Sequence, residues 1–266
     1  MTTLTLRAVP NGHVDMTGVL PETLAGRTVD DIERQIIHLA GRPVTLGDLF
    51  EVVADESGML AIRTDCDRLD CLGKGMSTGI LRVEGPAGHY AAQTMRGGEL
   101  DIQGDAGDGA ANGMKGGLLR IRGNAGDWLG AALIGDRTGM AGGVVAIEGN
   151  VGDRLGDRMR RGLILVRGQA GDACGARLLA GTLVVAGGCG SLPGSGLRRG
   201  SLILGRTPAS LPPSFNDSGG VELSYLGLLH RHTENFLPGL LPVSTQAHRY
   251  MGDLAFGGKG EILVLA

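Results

Sequence analysis

The chain has 266 residues, a net charge of −3 and a pI near 6.1, a balance that argues against a nucleic-acid partner. Aromatic residues make up 3% and glycines number 49, so any core is aliphatic and the glycine is either low complexity or placed by a repeat. No apolar run approaches the ~18 residues of a membrane span and no signal peptide opens the chain, so a cytoplasmic protein without a membrane partner is expected.

Residues 1–27 read as strand and loop, with Leu4 and Leu6 alternating before Pro10, Asn11 and Gly12. Thr28 then caps a helix whose first turn carries Asp30 and Asp31, matching the macrodipole. Ile32, Ile36 and Leu39 line one face of it, and Gly41 followed by Pro43 ends it. Residues 44–54 and 59–64 return to strand patterning. The expectation for 1–59 is an α/β cap with one helix, covering strand edges that would otherwise template aggregation.

From Gly79 to Gly200 the chain repeats itself. Gly79, Gly98, Gly117, Gly143, Gly162, Gly181 and Gly200 are 19 residues apart, except for one step of 26 that holds a seven-residue insertion between Gly130 and Met140. Two residues after each glycine stand Leu81, Leu100, Leu119, Val145, Ile164, Leu183 and Leu202, and two further on another branched column. Such alternation marks a short strand with one face buried. Second and third glycine columns, starting at Gly85 and Gly88, mark corners that need positive φ or close backbone approach. Further inward columns run through Ala87, through Ala91 and from Met95 to Leu197. A step of 19 back places Ile62, Leu72 and Met76 in those columns, so an irregular first unit begins near Leu60.

The fold expected is all-β: a right-handed, single-stranded parallel β-helix of about seven coils over residues 60–206, roughly 35 Å long at ~4.8 Å per coil. Handedness follows from the right-handed rule for parallel crossovers. The left-handed hexapeptide solenoid wants a multiple of six residues per coil, which 19 is not. Pro208, Pro212 and Pro213 break the pattern, and residues 207–266 form a non-repeating tail carrying Tyr225, Phe236, Tyr250 and Phe256. A tail this apolar packs along the rod or on a partner.

Three residues after the first glycine the side chain faces outward. That column reads Arg82, Asp101 and Arg120, then Ala146, Leu165, Val184 and Ile203. An apolar stripe four coils long is more than a soluble monomer leaves uncovered, so either a partner or the chain's own tail lies on it. The insertion, with Ile134, Asp136 and Arg137, is a second docking candidate. The expected partner interface therefore comprises Ile134, Asp136, Arg137, Leu165, Val184 and Ile203.

The chemistry-bearing residues read as structural. Cys174 and Cys189 fall in inward columns, and Cys66 and Cys71 lack CxxC spacing or a second pair, so neither an iron–sulfur or zinc site nor a disulfide scaffold is expected. His230 and His232 form an HxH pair without matched acidic residues, which reads as a polar turn. Asp108, Asp127, Asp153 and Asp172 recur once per unit, and each is expected to bond amides of its own turn. Gly194-Ser195-Gly196 is a by-product of a corner, with no helix following to hold a nucleotide. No catalytic or metal-binding residue is identified, and cofactor-binding residues stay unassigned.

Residues 114–130, MKGGLLRIRGNAGDWLG, resemble the GxGxG β-helix that forms the C-terminal domain of the glutamate synthase large chain. Residues 46–52 (LGDLFEV), 73–76 (GKGM) and 249–264 (RYMGDLAFGGKGEILV) are more similar to the C subunit of formylmethanofuran dehydrogenase and of its bacterial relative, the formyltransferase/hydrolase complex. The last stretch lies outside the repeats, so it is not a repetition artefact. The resemblance implies a scaffold subunit of a complex that passes formyl from formyl-tetrahydromethanopterin to a methanofuran-type carrier and hydrolyses it to formate. It also implies that carrier, tetrahydromethanopterin and metal sit on partner subunits: a metal-dependent hydrolase, a formyltransferase and an oxidoreductase-like subunit. Arginine far outnumbers lysine (only Lys74, Lys115 and Lys259), which tilts the reading to the bacterial complex. The alternatives are the C subunit of an archaeal-type molybdenum or tungsten formylmethanofuran dehydrogenase, and a glutamate-synthase-type GxGxG scaffold.

Overall fold

A computed structural model describes residues 1–54 and 58–265; residues 55–57 of the expected cap and Ala266 of the tail lie outside the described residues. Its dominant feature is a mostly parallel sheet of thirteen strands. Eight of them, from Met59–Arg63 to Ser201–Leu204, follow each other in chain order and pair in parallel. The register puts like on like: Leu60, Leu81, Leu100, Leu119, Val145, Ile164, Leu183 and Leu202 are successive Cα partners. A second line of parallel bridges joins Ala87, Ala106, Ala125, Val151, Ala170 and Cys189. Ile62, Leu72 and Met76 are fully buried, and so is the column from Met95 to Leu197, but Ile62 pairs with Val83, 21 residues on, and not with Leu81 as a step of 19 would have it.

Both ends of the stack are extended by distant parts of the chain. The N-terminal strand Thr2–Leu6 pairs in parallel with Met59–Arg63, and Gly260–Leu265 pairs in parallel with Ser201–Leu204. Beyond these lie antiparallel strands, Phe50–Val53 at one end, and Gln246–Gly252 with Asn216–Glu222 at the other. The tail thus contains one strand in phase with the repeat, although its sequence spacing hides it.

The single helix expected from Thr28 to Gly41 is corrected. Thr28 does cap a helix, its side chain accepting from the Asp31 amide, but that helix spans only Val29–Glu33. Ile36–Leu39 is a strand, hairpinned to Arg42–Thr45 through Ala40 and Gly41, both at positive φ. Two consecutive left-handed residues are what a tight hairpin turn needs. The Ile36, Ile37, His38 run therefore obeys a period of two: Ile37 is buried and Ile36 is exposed. With two further short helices, Pro21–Leu24 and Leu46–Leu49, the described part of residues 1–59 holds three short helices where one was expected.

Glycine placement has two separate causes. Gly143 sits at φ +88° in the first column. Gly123 in the second column has no left-handed φ, yet a Cβ there would lie 2.8 Å from backbone atoms of Gly104 and Asp105 in the preceding unit. The corner is occupied by neighbouring main chain, so only a hydrogen fits.

The aspartate column is also corrected. Each carboxylate accepts from the amide of the next unit: Asp127 N to Asp108 at 2.9 Å, Asp153 N to Asp127 at 2.7 Å, Asp172 N to Asp153 at 2.7 Å and Ser191 N to Asp172 at 2.7 Å. At the start of the ladder His89 takes the acceptor role, its Nδ1 receiving the Asp108 amide at 3.0 Å, while its own amide donates to Asp70. Stacked corners present their free amides along the stack axis, toward the neighbour, so the carboxylate reaches along and not around.

Candidate functional site

The apolar stripe is covered by the chain itself. Leu165, Val184 and Ile203 are buried with Ala146 and Leu163 under Leu226, Leu237, Leu240, Leu241 and Ala247 of the tail. Their expected place in a partner interface is therefore corrected: of the two possible occupants, the helix Tyr225–Thr233 and the loop after it lie on the stripe. Hydrophobic burial favours the intramolecular cover because it carries no association cost. Two arginines clasp this cover. Arg120 donates to the Phe236 carbonyl at 2.9 Å and pairs with Glu99 at 3.2 Å, and Arg167 donates to the Pro238 carbonyl at 2.9 Å.

The histidine pair belongs to the same cover. His230 and His232 lie in and near the last turn of that helix; the His230 ring bonds the Leu241 carbonyl at 3.0 Å and His232 meets Phe236 edge-on. Cys174 is buried, and its hydrogen bond to Cys189 together with that burial pushes its thiol well above the ordinary value. Among the described residues no group of three histidine, cysteine or acidic side chains could hold a metal ion.

What stays exposed is the insertion. Met140 N bonds Gly130 O at 2.8 Å, so the two ends of the insertion close on each other and the columns resume in phase beyond it. The loop between them is ordered by the turn Asp136 N to Leu133 O, with Gly135 at φ +89°, and by Arg158, which donates to the Asp136 carbonyl at 3.1 Å. Ile134 at its tip is fully exposed, and Asp136 and Arg137 are exposed beside it.

The loop divides two adjoining hollows. One, of about 780 Å³, lies between the loop and the rings of Tyr90 and Trp128. These two residues hold the same repeat position two units apart, both at positive φ, with Gly109 between them. A side chain at Gly109 would strike the Tyr90 ring at 2.6 Å, so the glycine keeps the slot open. Asn112 lines its floor, almost wholly buried, with its carbonyl oxygen unpaired. The other hollow, of about 500 Å³, is lined by Arg137, Arg158, Arg177, Arg198, Leu179 and Phe256. Arg158 and Arg177 border both. Arg177 grips the buried Asp157 with both ends of its fork, Nε to Oδ1 at 2.8 Å and Nη2 to Oδ2. This arrangement offers cations, aromatic rims and a hydrogen-bond acceptor, which suits binding.

Sequence reasoning found the insertion from its broken period. It missed the arginines, because Arg137 lies in the insertion, Arg158 and Arg198 stand at different repeat positions, and the three meet only when the units stack.

Comparison with known proteins agrees with this architecture. The GXGXG motif family model matches residues 72–226. The C subunit of the formyltransferase/hydrolase complex Fhc of Methylorubrum extorquens is 40% identical over 88 residues, 33% of this chain and 33% of that protein, so the sequence match spans a third of the relative's length. A chain in the crystal structure of the formyltransferase/hydrolase complex FhcABCD from Methylorubrum extorquens, in complex with methylofuran, is 39% identical and superimposes with a TM-score of 0.93 over 99% of both chains. The chain belongs to the GXGXG family and, within it, to the C subunits of formyltransferase/hydrolase complexes.

Proposed function

We propose that this chain is the structural subunit of a complex that transfers formyl from formyl-tetrahydromethanopterin to a methanofuran-type carrier and hydrolyses it to formate. The observation that carries this reading is the likeness, over 99% of both chains, to a chain of a complex solved with methylofuran. The bacterial hydrolytic complex is favoured over the archaeal dehydrogenase and the glutamate-synthase module, because both named relatives are formyltransferase/hydrolase proteins. Carrier, tetrahydromethanopterin and metal are assigned to partner subunits, and the assembly to the cytoplasm.

The stack of in-register parallel strands and the second bridge column support reading residues 60–206 as a right-handed parallel β-helix of about seven coils. Residues 1–59 then form a cap and 207–266 a tail that packs on the rod. Such a rod is a rigid ruler on which partners are positioned. Its partner contact is proposed at the insertion, through Ile134, Asp136 and Arg137, where a uniform edge is interrupted by an ordered, exposed loop. The test is native purification through an affinity tag on this chain, with mass spectrometry and a formate-release assay from formyl-tetrahydromethanopterin. Formate release by the recovered complex and none by the isolated chain is the expected result; turnover by the isolated chain overturns the scaffold role.

A further inference from the structure

The hollow between the insertion and the rings of Tyr90 and Trp128 holds a polar group that the fold does not use. Asn112 is almost wholly buried in its floor, and among the described residues neither its Oδ1 nor its Nδ2 has a hydrogen-bond partner. The amide end points at the slot, since a Cβ on Gly109 would lie 3.0 Å from Nδ2. Gln93 holds the same repeat position one unit earlier, lines the same hollow and likewise leaves its carboxamide unbonded. A buried carboxamide without a partner is costly, so one that faces a hollow is poised to take a group from outside the chain.

The walls decide the shape of that group. Tyr90, Gly109 and Trp128 hold one repeat position in successive units, so the two rings spring from points about 10 Å apart, twice the strand spacing. Aromatic rings meet at centroid distances of about 4.5–7 Å, so one further ring fits between them and a second does not. Trp128 is braced by the next unit, where the Arg154 guanidinium lies 4.7 Å from its ring centroid. A ring bearing one O–H or N–H matches both features, its faces against Tyr90 and Trp128 and its donor toward Asn112. A half-turn of the Asn112 carboxamide exchanges Nδ2 for Oδ1 and breaks no hydrogen bond, so the group is free to accept. A second copy of this chain cannot supply such a ring. Its only tryptophan is one wall, and of its three tyrosines Tyr90 is the other wall, Tyr225 donates to Glu261 at 3.1 Å and Tyr250 packs against the core. Large apolar side chains stand exposed along the same corner, Ile134 at the rim and Leu192 at the repeat position of Tyr90 and Trp128, which is the make-up of a protein-binding surface around an anchor pocket. We infer that the slot between Tyr90 and Trp128 seats the ring of a tyrosine or tryptophan carried by a partner subunit, whose O–H or N–H is donated to Asn112. This inference rests on the proposed role as a complex subunit and gives its docking surface an anchor.

Tagged full-length chain would be co-expressed with the formyl-handling subunits and recovered as wild type, as Asn112→Ala, as Trp128→Ala and, for a control, as Leu228→Ala on the exposed side of the helix Tyr225–Thr233. Asn112→Ala and Trp128→Ala are each expected to lower recovery of those subunits roughly fivefold or more, and Leu228→Ala to match wild type. The Asn112 side chain bonds nothing in the fold, so its variant is expected to keep or raise the melting temperature while losing partners, a split that a structural role does not produce. A photo-crosslinking residue at the rim, Ile134→p-benzoylphenylalanine, is expected to join a partner peptide that contains a tyrosine or tryptophan. Replacing that partner residue by leucine, alone and together with Trp128→Ala, is expected to give losses that overlap and do not multiply. Wild-type recovery by Asn112→Ala and Trp128→Ala, loss only where the melting temperature also falls, no adduct, an adduct only with a second copy or with a peptide lacking both residues, or multiplying losses each overturns the slot and leaves the complex reading intact. Wild-type chain that recovers no formyl-handling subunit removes both.

Discussion

Single atoms set the limits of the stack. At Gly143 a side chain would meet a left-handed φ and the Gly117 carbonyl at 2.8 Å. At Gly123 it would meet backbone of the previous unit with no φ penalty, while at Gly239 it would meet φ +69° and open space. Gly123→Ala should therefore cost more than Gly239→Ala: about 2–3 kcal/mol against about 1 kcal/mol in denaturant midpoints. The reverse ranking would discard close stacking as the reason for the second glycine column. Asp253 is a second residue-scale test. Burial pushes its carboxyl up, but hydrogen bonds from Ser214 and the amides of Gly196 and Ala255 outweigh that and hold it below the ordinary value. A depressed folded value contributes stability above the unfolded carboxylate range, near pH 4, which is lost as pH falls through the folded value. Asp253→Asn should lower stability at pH 7 by about 1 kcal/mol and flatten the decline below pH 4. Parallel wild-type and variant curves through that range would refute the assignment.

At the scale of elements, the tail is held to the rod by one apolar face and two arginines. Leu165→Asp places an unpaired carboxylate under the helix Tyr225–Thr233 and should cost about 3 kcal/mol or more. Arg120 faces outward from its strand, but it anchors the Phe236 carbonyl and Glu99. Arg120→Asp should accordingly loosen the tail, costing about 1–2 kcal/mol and raising amide exchange across residues 225–241. Protection there indistinguishable from wild type would show that the apolar contact alone holds the cover.

For the whole molecule, the insertion is expected to be separable from the stack of strands. Deleting residues 133–139 shortens the 26-residue step to 19, the period of every other unit, and should leave the melting temperature within a few degrees while co-purification of partners falls. A large loss of stability would mean the loop is part of the core; unchanged partner recovery would place the docking surface elsewhere.

The repeat alone determined the stacked strands, the inward columns and the position of the insertion, because each strand of the stack pairs only with its neighbours and identical units demand identical side chains. Leu81 lies on Leu100 for the same reason that they are 19 residues apart. Non-repeating contacts were decided only by the tertiary structure. The strand Gly260–Leu265 reaches the stack from beyond an antiparallel excursion, the tail covers Leu165 from some 60–75 residues away, and the hairpin at Ala40 overrides a helix pattern that fits equally well. In each case a local pattern is compatible with two outcomes, and the choice falls to whichever buries an apolar face or closes an open strand edge. The arginine-lined hollow is of the same kind. Arg158 and Arg177 share one repeat position, Arg198 stands at another and Arg137 lies in the insertion, so the four meet at one hollow only through the stacking of units and the placement of that loop.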